Sequence, residues 1–256
     1  MFRAIYFTSA LLFLAFILLP LGAVFMRALP LGVAPWLSAT SRDALTLSLV
    51  TATTTTLLAL LVGTPFAYAL ARKNFRGRNL VEALVDLPVV LPPAVAGIAL
   101  LLTFGRQGIL GAPLTRLGIQ IPFTTLAVVL AQTFVAAPLY VRAARSAFAS
   151  IDPRLEQMSA VLGISNARTF ARVTLPLAAP NLLGGALTCW ARAIGEFGAT
   201  ILFAGNLPRI TQTMPLAVYT GLEGELDSAL ALSVSLIVIS FAVLAGVRLV
   251  RVESQM

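Results

Sequence analysis

The chain has no histidine, one cysteine and one lysine in 256 residues. Without histidine, a zinc site of mixed His and Cys ligands is excluded, as is a Ser-His-Asp triad. The single cysteine, Cys189, cannot form a disulfide within the chain. It lies in an apolar stretch and reads as a small packing residue. The only lysine is Lys73, and no G-x-x-x-x-G-K-[ST] loop occurs, so if ATP is used its site lies on another chain. No cofactor is expected. Charge is also scarce: 11% of residues are charged, 59% are hydrophobic, and the mean hydropathy is +0.94. A soluble domain of this length needs far more polar surface, so lipid is the expected solvent for most of this one.

What is abundant is long uncharged runs. They cover residues 4–26, 44–71, 87–105, 117–141 and 228–247, and a sixth follows Arg172 to about Ala204, interrupted only by Arg192 and Glu196. A bilayer core takes roughly 20 apolar residues in a helix. Helices are expected because lipid offers no partner to open backbone groups, so the fold class is all-α and integral to the membrane, with six crossings. The first run follows a basic residue, as a secretory signal does. It is too long for a typical signal core and lacks a clear small-x-small cleavage site, so a retained helix is expected.

The net charge of +8 reads as topology rather than as a nucleic-acid footprint. With the N-terminus inside, twelve basic residues fall in inside loops: Arg3, then Arg72, Lys73, Arg76 and Arg78, then Arg142, Arg145, Arg154, Arg168 and Arg172, then Arg248 and Arg251. Five fall outside: Arg27, Arg42, Arg106, Arg116 and Arg209. The positive-inside rule then places both termini in the cytoplasm of a bacterial inner membrane protein.

The longest inside loop runs from Ser150 to Pro176. Asp152 and Pro153 form a helix start, and Leu155, Met158, Ser159 and Leu162 share a face at helical spacing. Gly163 is placed to end that helix in a left-handed conformation. Ser165 is placed to cap a second short helix that stops near Pro176. On pattern alone, such a knob fits either a groove on a partner or the membrane surface.

These residues resemble the cytoplasmic loop of ABC importer permeases, E-A-A-x3-G-x9-[IV]-x-L-P. Gly163 is followed after nine residues by Val173-Thr174-Leu175-Pro176, while Gln157-Met158-Ser159, with Glu156 before it, stands in place of E-A-A. The likeness covers about residues 43–250. It includes Asp86-Leu87-Pro88-Val89-Val90-Leu91-Pro92-Pro93, Arg192-Ala193-Ile194-Gly195-Glu196-Phe197-Gly198-Ala199-Thr200, and Thr211-Gln212-Thr213-Met214-Pro215-Leu216-Ala217. Together they resemble the molybdate branch. The sulfate/thiosulfate branch usually has Tyr and Ser where this chain has Phe197 and Ala199.

The resemblance implies a type I importer permease that pairs with a second copy of itself. Below it, an ABC ATPase subunit would dock on a coupling loop containing Glu156, Gln157, Gly163, Val173, Leu175 and Pro176. Above it, an extracytoplasmic oxyanion-binding protein would deliver the cargo. The implied organisation is an N-terminal helix and outer loop (1–42), a permease core (43–250) with the coupling loop at 150–176, and a cytoplasmic tail (251–256). Tungstate, sulfate and thiosulfate remain alternative cargoes within this class.

Outside it, the absence of histidine and the scarcity of intramembrane acids argue against a membrane enzyme. A proton-coupled secondary transporter would ordinarily need more intramembrane carboxylates than Glu196 alone. Within the spans, Thr51 and Thr53 to Thr56 suit either packing or a pore lining. Pro65, Pro88, Pro92, Pro93 and Pro138 are expected to bend or break helices. The apolar stretch Met214 to Leu222 is too short to span and suits a re-entrant or interfacial helix. Arg192 and Glu196 stand one helical turn apart and can pair, either to fix packing or to line a translocation route together with Thr200 and Thr51.

Overall fold

A computed structural model describes residues 2–253, and among these every regular element is helical. In chain order the helices are α1 (Phe2–Ala28), α2 (Ala34–Leu37), α3 (Ala39–Arg72), α4 (Arg78–Val90), α5 (Pro93–Phe104) and α6 (Gly111–Arg116). There follow α7 (Thr125–Ser150), α8 (Arg154–Val161), α9 (Asn166–Thr169), a π-turn (Phe170–Thr174), α10 (Leu175–Ile194), α11 (Gly198–Phe203), α12 (Met214–Gly221) and α13 (Leu226–Glu253). Helix α13 takes in the first residues of the expected tail at 251–256, and 254–256 lie outside the described residues.

The chain is a multi-pass membrane protein. Among the described residues, four helices are long and apolar enough to cross alone, beginning at Ile5, Ala39, Thr125 and Leu226. The pair α4–α5, bent by 112°, makes a fifth if counted as one span. The sixth expected crossing falls on α10 and α11, which break apart at Gly195–Phe197. At 20 residues α10 is long enough to span, but Asn181, Thr188 and Arg192 make it too polar to qualify on composition.

The run at 117–141 becomes a helix at Thr125–Ser150. It starts late because Thr124 is extended and its hydroxyl accepts from the Ala127 amide. It ends late because Arg142 and Arg145 are neutralised by Asp86 and Glu82 of α4 at 3.0 and 2.8 Å, so the helix continues through them. Of the prolines, those at Leu91–Pro92–Pro93 break the chain's helical path, while Pro65, Pro88 and Pro138 lie within continuous helices. Neighbouring helices can satisfy the carbonyls that such prolines free.

The core forms between α3, α7 and α10, where Ala52, Ala59, Tyr140, Ala144, Phe148, Ala186 and Cys189 pack together. A second cluster joins α5 and α11 to the first half of α7 through Ala96, Leu100, Val128, Ala131, Ala199 and Phe203. Small residues dominate both clusters. This follows from the lipid setting, where close backbone approach, not exclusion from water, drives helix association. Helix α1 stands apart: its apolar window is 0% buried and it contacts α13.

Candidate functional site

The knob at 150–176 is built from two short helices and a π-turn. The Asp152 carboxylate accepts from the Arg154 amide, starting α8, and Gly163 ends it at φ +72°. Ser165 holds the start of α9 with extended backbone but makes no side-chain cap. The second helix does not stop at Pro176. It passes through the π-turn into α10, with Pro176 in the first turn of α10.

One carboxylate ties the knob down. Glu156 Oε1 accepts from Arg72 Nε at 3.1 Å, lies 3.0 Å from Arg72 Nη2, and accepts from the Thr174 hydroxyl at 2.9 Å. Arg72 Nη1 also donates to the Ile151 carbonyl. The end of α3, the start of the knob and the π-turn thus meet at one oxygen. Below them Tyr68, Phe148 and Phe170 stack edge-on or tilted, with centroids 4.9–6.0 Å apart. With Glu156 and Ser159 turned inward, α8 leaves Met158, Val161 and Leu162 exposed at 64, 88 and 75%. Gln157 is exposed beside them, Val173 and Leu175 are half-buried, and Pro176 is exposed. The knob is therefore a rigid mount with an apolar tip. Arg72 and Thr174 were absent from the residues proposed on sequence grounds, because their partner lies 84 and 18 positions away and no spacing rule connects them.

The second constellation sits at the α10–α11 break. Arg192 Nη1 lies 2.7 Å from Glu196 Oε2, and Glu196 Oε1 accepts from the Ala199 amide at 2.9 Å. The carboxylate thus pairs with the end of one helix and satisfies an orphan N–H at the start of the next. Glu196 is 1% exposed and the Arg192 side chain 35%. The two residues that accompanied them in the sequence-based set are both buried. Thr51 is fully buried, its hydroxyl donating to the Leu47 carbonyl of its own helix. Thr200 is fully buried and its hydroxyl has no partner among the described residues. The neighbouring Thr55 donates across to Val129 and Gln132 of α7.

At the far end of α3, Arg209 pairs with Asp43 at 2.9 Å beside an open recess of about 550 Å³. The loop there is ordered by the Leu207 carbonyl, which accepts from the amides of Ile210, Thr211 and Gln212. Helix α12, the short apolar stretch noted in the sequence, packs against α3 and α13 with Met214 and Leu216 fully buried.

The chain is 42% identical over 91% of its length to the "Molybdenum transport system permease protein ModB" of Mycobacterium tuberculosis, covering 89% of that protein. It is 38% identical over 83% of its length to the protein of the same description from Escherichia coli K12, covering 95% of it. In fold it resembles a chain of a bacterial ABC transporter involved in the import of the acidic polysaccharide alginate, with a TM-score of 0.72, 17% identity and coverage of 99% of this chain and 94% of that one. It also resembles a chain of the inward-facing MetNI methionine ABC transporter, with a TM-score of 0.63, 20% identity and coverage of 86% and 98%. Residues 63–252 match the model for the inner membrane component of binding-protein-dependent transport systems, and the chain belongs to that family.

Proposed function

We propose that this chain is the membrane-spanning subunit of an ATP-driven importer of a tetrahedral oxyanion, molybdate above all. The observation that carries the cargo is the 42% identity, across 91% of the chain, to a protein described as a molybdenum transport permease. The knob supports the mode of action. A short helix ending at a left-handed glycine, anchored through Glu156 and bare at Met158, Val161 and Leu162, suits insertion into a cleft of an ATPase subunit. Hydrolysis then belongs to that subunit, and this chain performs no chemistry on its cargo. Two copies would enclose the route, with both termini in the cytoplasm and a binding protein seated at the mouth beside Arg209.

The test is uptake by proteoliposomes holding this chain, the ATPase chain from the same organism and the cognate binding protein. ATP-dependent accumulation of labelled molybdate, displaced by tungstate but not by a tenfold excess of sulfate, is the expected result. Equal displacement by sulfate would move the cargo to the sulfate/thiosulfate class, and accumulation without the ATPase chain would refute the importer.

A further inference from the structure

Helix α10 has two exposed faces of opposite chemistry. Asn181 and Thr188 are exposed and Arg192 is partly so. At 100° per residue these three fall within about 40° of one another around the helix. Between them Gly184 is itself buried, yet nothing lies within 4 Å of where a side chain would begin. On the opposite side Leu183 is 56% exposed and Trp190 half-buried. Ala186, Cys189 and Ala193 close the helix against the core between the two faces. The Leu183 face is compatible with lipid. The Asn181 face, polar and ending in an arginine, is not, since charged side chains are costly against lipid.

The geometry at Arg192 suits a passing anion. A guanidinium carries five N–H donors, and only its Nη1 end is engaged by Glu196. Glu196 is held from both oxygens, so it remains a fixed counter-charge. An oxyanion meeting this pair finds directed donors on a locally neutral unit. That arrangement favours contact without retention, as conduction requires. The Thr188 hydroxyl donates to the Gly184 carbonyl, so it wets the face without offering its proton to an anion. From Arg192 to Asn181 the row spans about 16 Å of helix, roughly half of a bilayer core.

We propose that the Asn181–Thr188–Arg192 face of α10 is the surface along which the transported oxyanion crosses. Arg192 is its direct contact, and Glu196 is the positioning residue that fixes the guanidinium and offsets its charge. The proposal rests on the oxyanion-importer reading, and it leaves Thr51 and Thr200 as packing groups.

Because Cys189 is the chain's only cysteine and is buried, Cys189→Ala provides a thiol-free background for accessibility measurements. Into it go, singly, Asn181→Cys, Thr188→Cys and the opposite-face control Leu183→Cys. Each is assembled with the ATPase and binding protein in proteoliposomes. A membrane-impermeant sulfonate thiol reagent should label positions 181 and 188 at least tenfold faster than 183, with or without ATP trapped on the complex. Labelling of 183 as fast as 188, or no labelling of 181 and 188 in either nucleotide state, overturns the proposal. Arg192→Gln should raise the ATP hydrolysed per molybdate imported at least tenfold, and Arg192→Lys should recover part of the loss. A proportional fall of hydrolysis and uptake together would assign Arg192 to packing and also overturn it. Wild-type vesicles that import neither molybdate nor sulfate would refute the importer reading itself, a result separable from the labelling pattern.

Discussion

Two glutamates inside this chain each serve two elements at once. Glu156 joins the end of α3 to the π-turn; Glu196 joins α10 to α11. Removing either leaves a partly buried arginine without its counter-charge. Breaking a fully buried pair costs about 3–5 kcal/mol. Arg192 keeps about a third of its side chain exposed, so water compensates in part. Glu196→Gln retains an acceptor for the Ala199 amide and should cost about 1–3 kcal/mol. Thermal unfolding of the purified chain should show a drop of several degrees; an unchanged midpoint would mean that the pair does not hold the break. Glu156→Ala should lower the midpoint similarly and also raise ATP consumed per ion imported, because the knob would lose its mount. Unchanged coupling would show that the aromatic cluster of Tyr68, Phe148 and Phe170 suffices. The Arg192–Glu196 pair was legible in the sequence because four-residue spacing is a local rule. The Glu156 network was not, because it depends on where distant helices end.

Among the elements, the breaks matter more than the spans. Gly163 adopts φ +72° with nothing within 4 Å of a prospective side chain, so a substitution there meets backbone strain and no collision. Valine at that φ costs about 1–2 kcal/mol. Gly163→Val should leave the protein in the membrane yet uncouple hydrolysis from uptake, whereas Gly163→Asn, which tolerates the left-handed region, should restore coupling. Equal uptake by Gly163→Val and wild type at matched membrane levels would overturn this. Gly97 is the opposite case. A side chain there would begin 2.8 Å from Leu202 Cβ and 3.0 Å from the Ala199 carbonyl, so it is steric contact between α5 and α11 that demands glycine. Gly97→Val should therefore lower membrane abundance and unfolding temperature; a normally stable variant would show that α5 shifts freely. The glycine at the knob was readable from its place after an amphipathic turn, and Leu91–Pro92–Pro93 from its prolines. The end of α7 was not readable from charge, since charge marked the ends of runs and Arg142 and Arg145 are neutralised by a neighbouring helix.

For the whole molecule, the structure and the charge pattern answer different halves of one question. Helix α3 is the measuring rod. Asp43 near its start pairs with Arg209, and Arg72 at its end pairs with Glu156 of the knob. The 29 residue steps from Asp43 to Arg72 rise about 43 Å at 1.5 Å each, more than the roughly 30 Å of a hydrocarbon core. The knob and the Arg209 loop must therefore lie on opposite sides of the membrane, whichever way the chain inserts. Geometry is silent on which side is cytoplasmic. The basic residues supply the choice, with twelve assigned by the sequence to the knob's side against five to the other. Reporter fusions after Arg78 and Arg168 should accordingly be active in the cytoplasm, and one after Arg209 outside. The three fusions test two things separately. Arg168 and Arg209 reporting from the same side would contradict the span of α3 and with it the fold. Arg168 outside and Arg209 inside would preserve the fold and invert the insertion, placing the knob where no ATPase subunit can reach it and thereby refuting the importer.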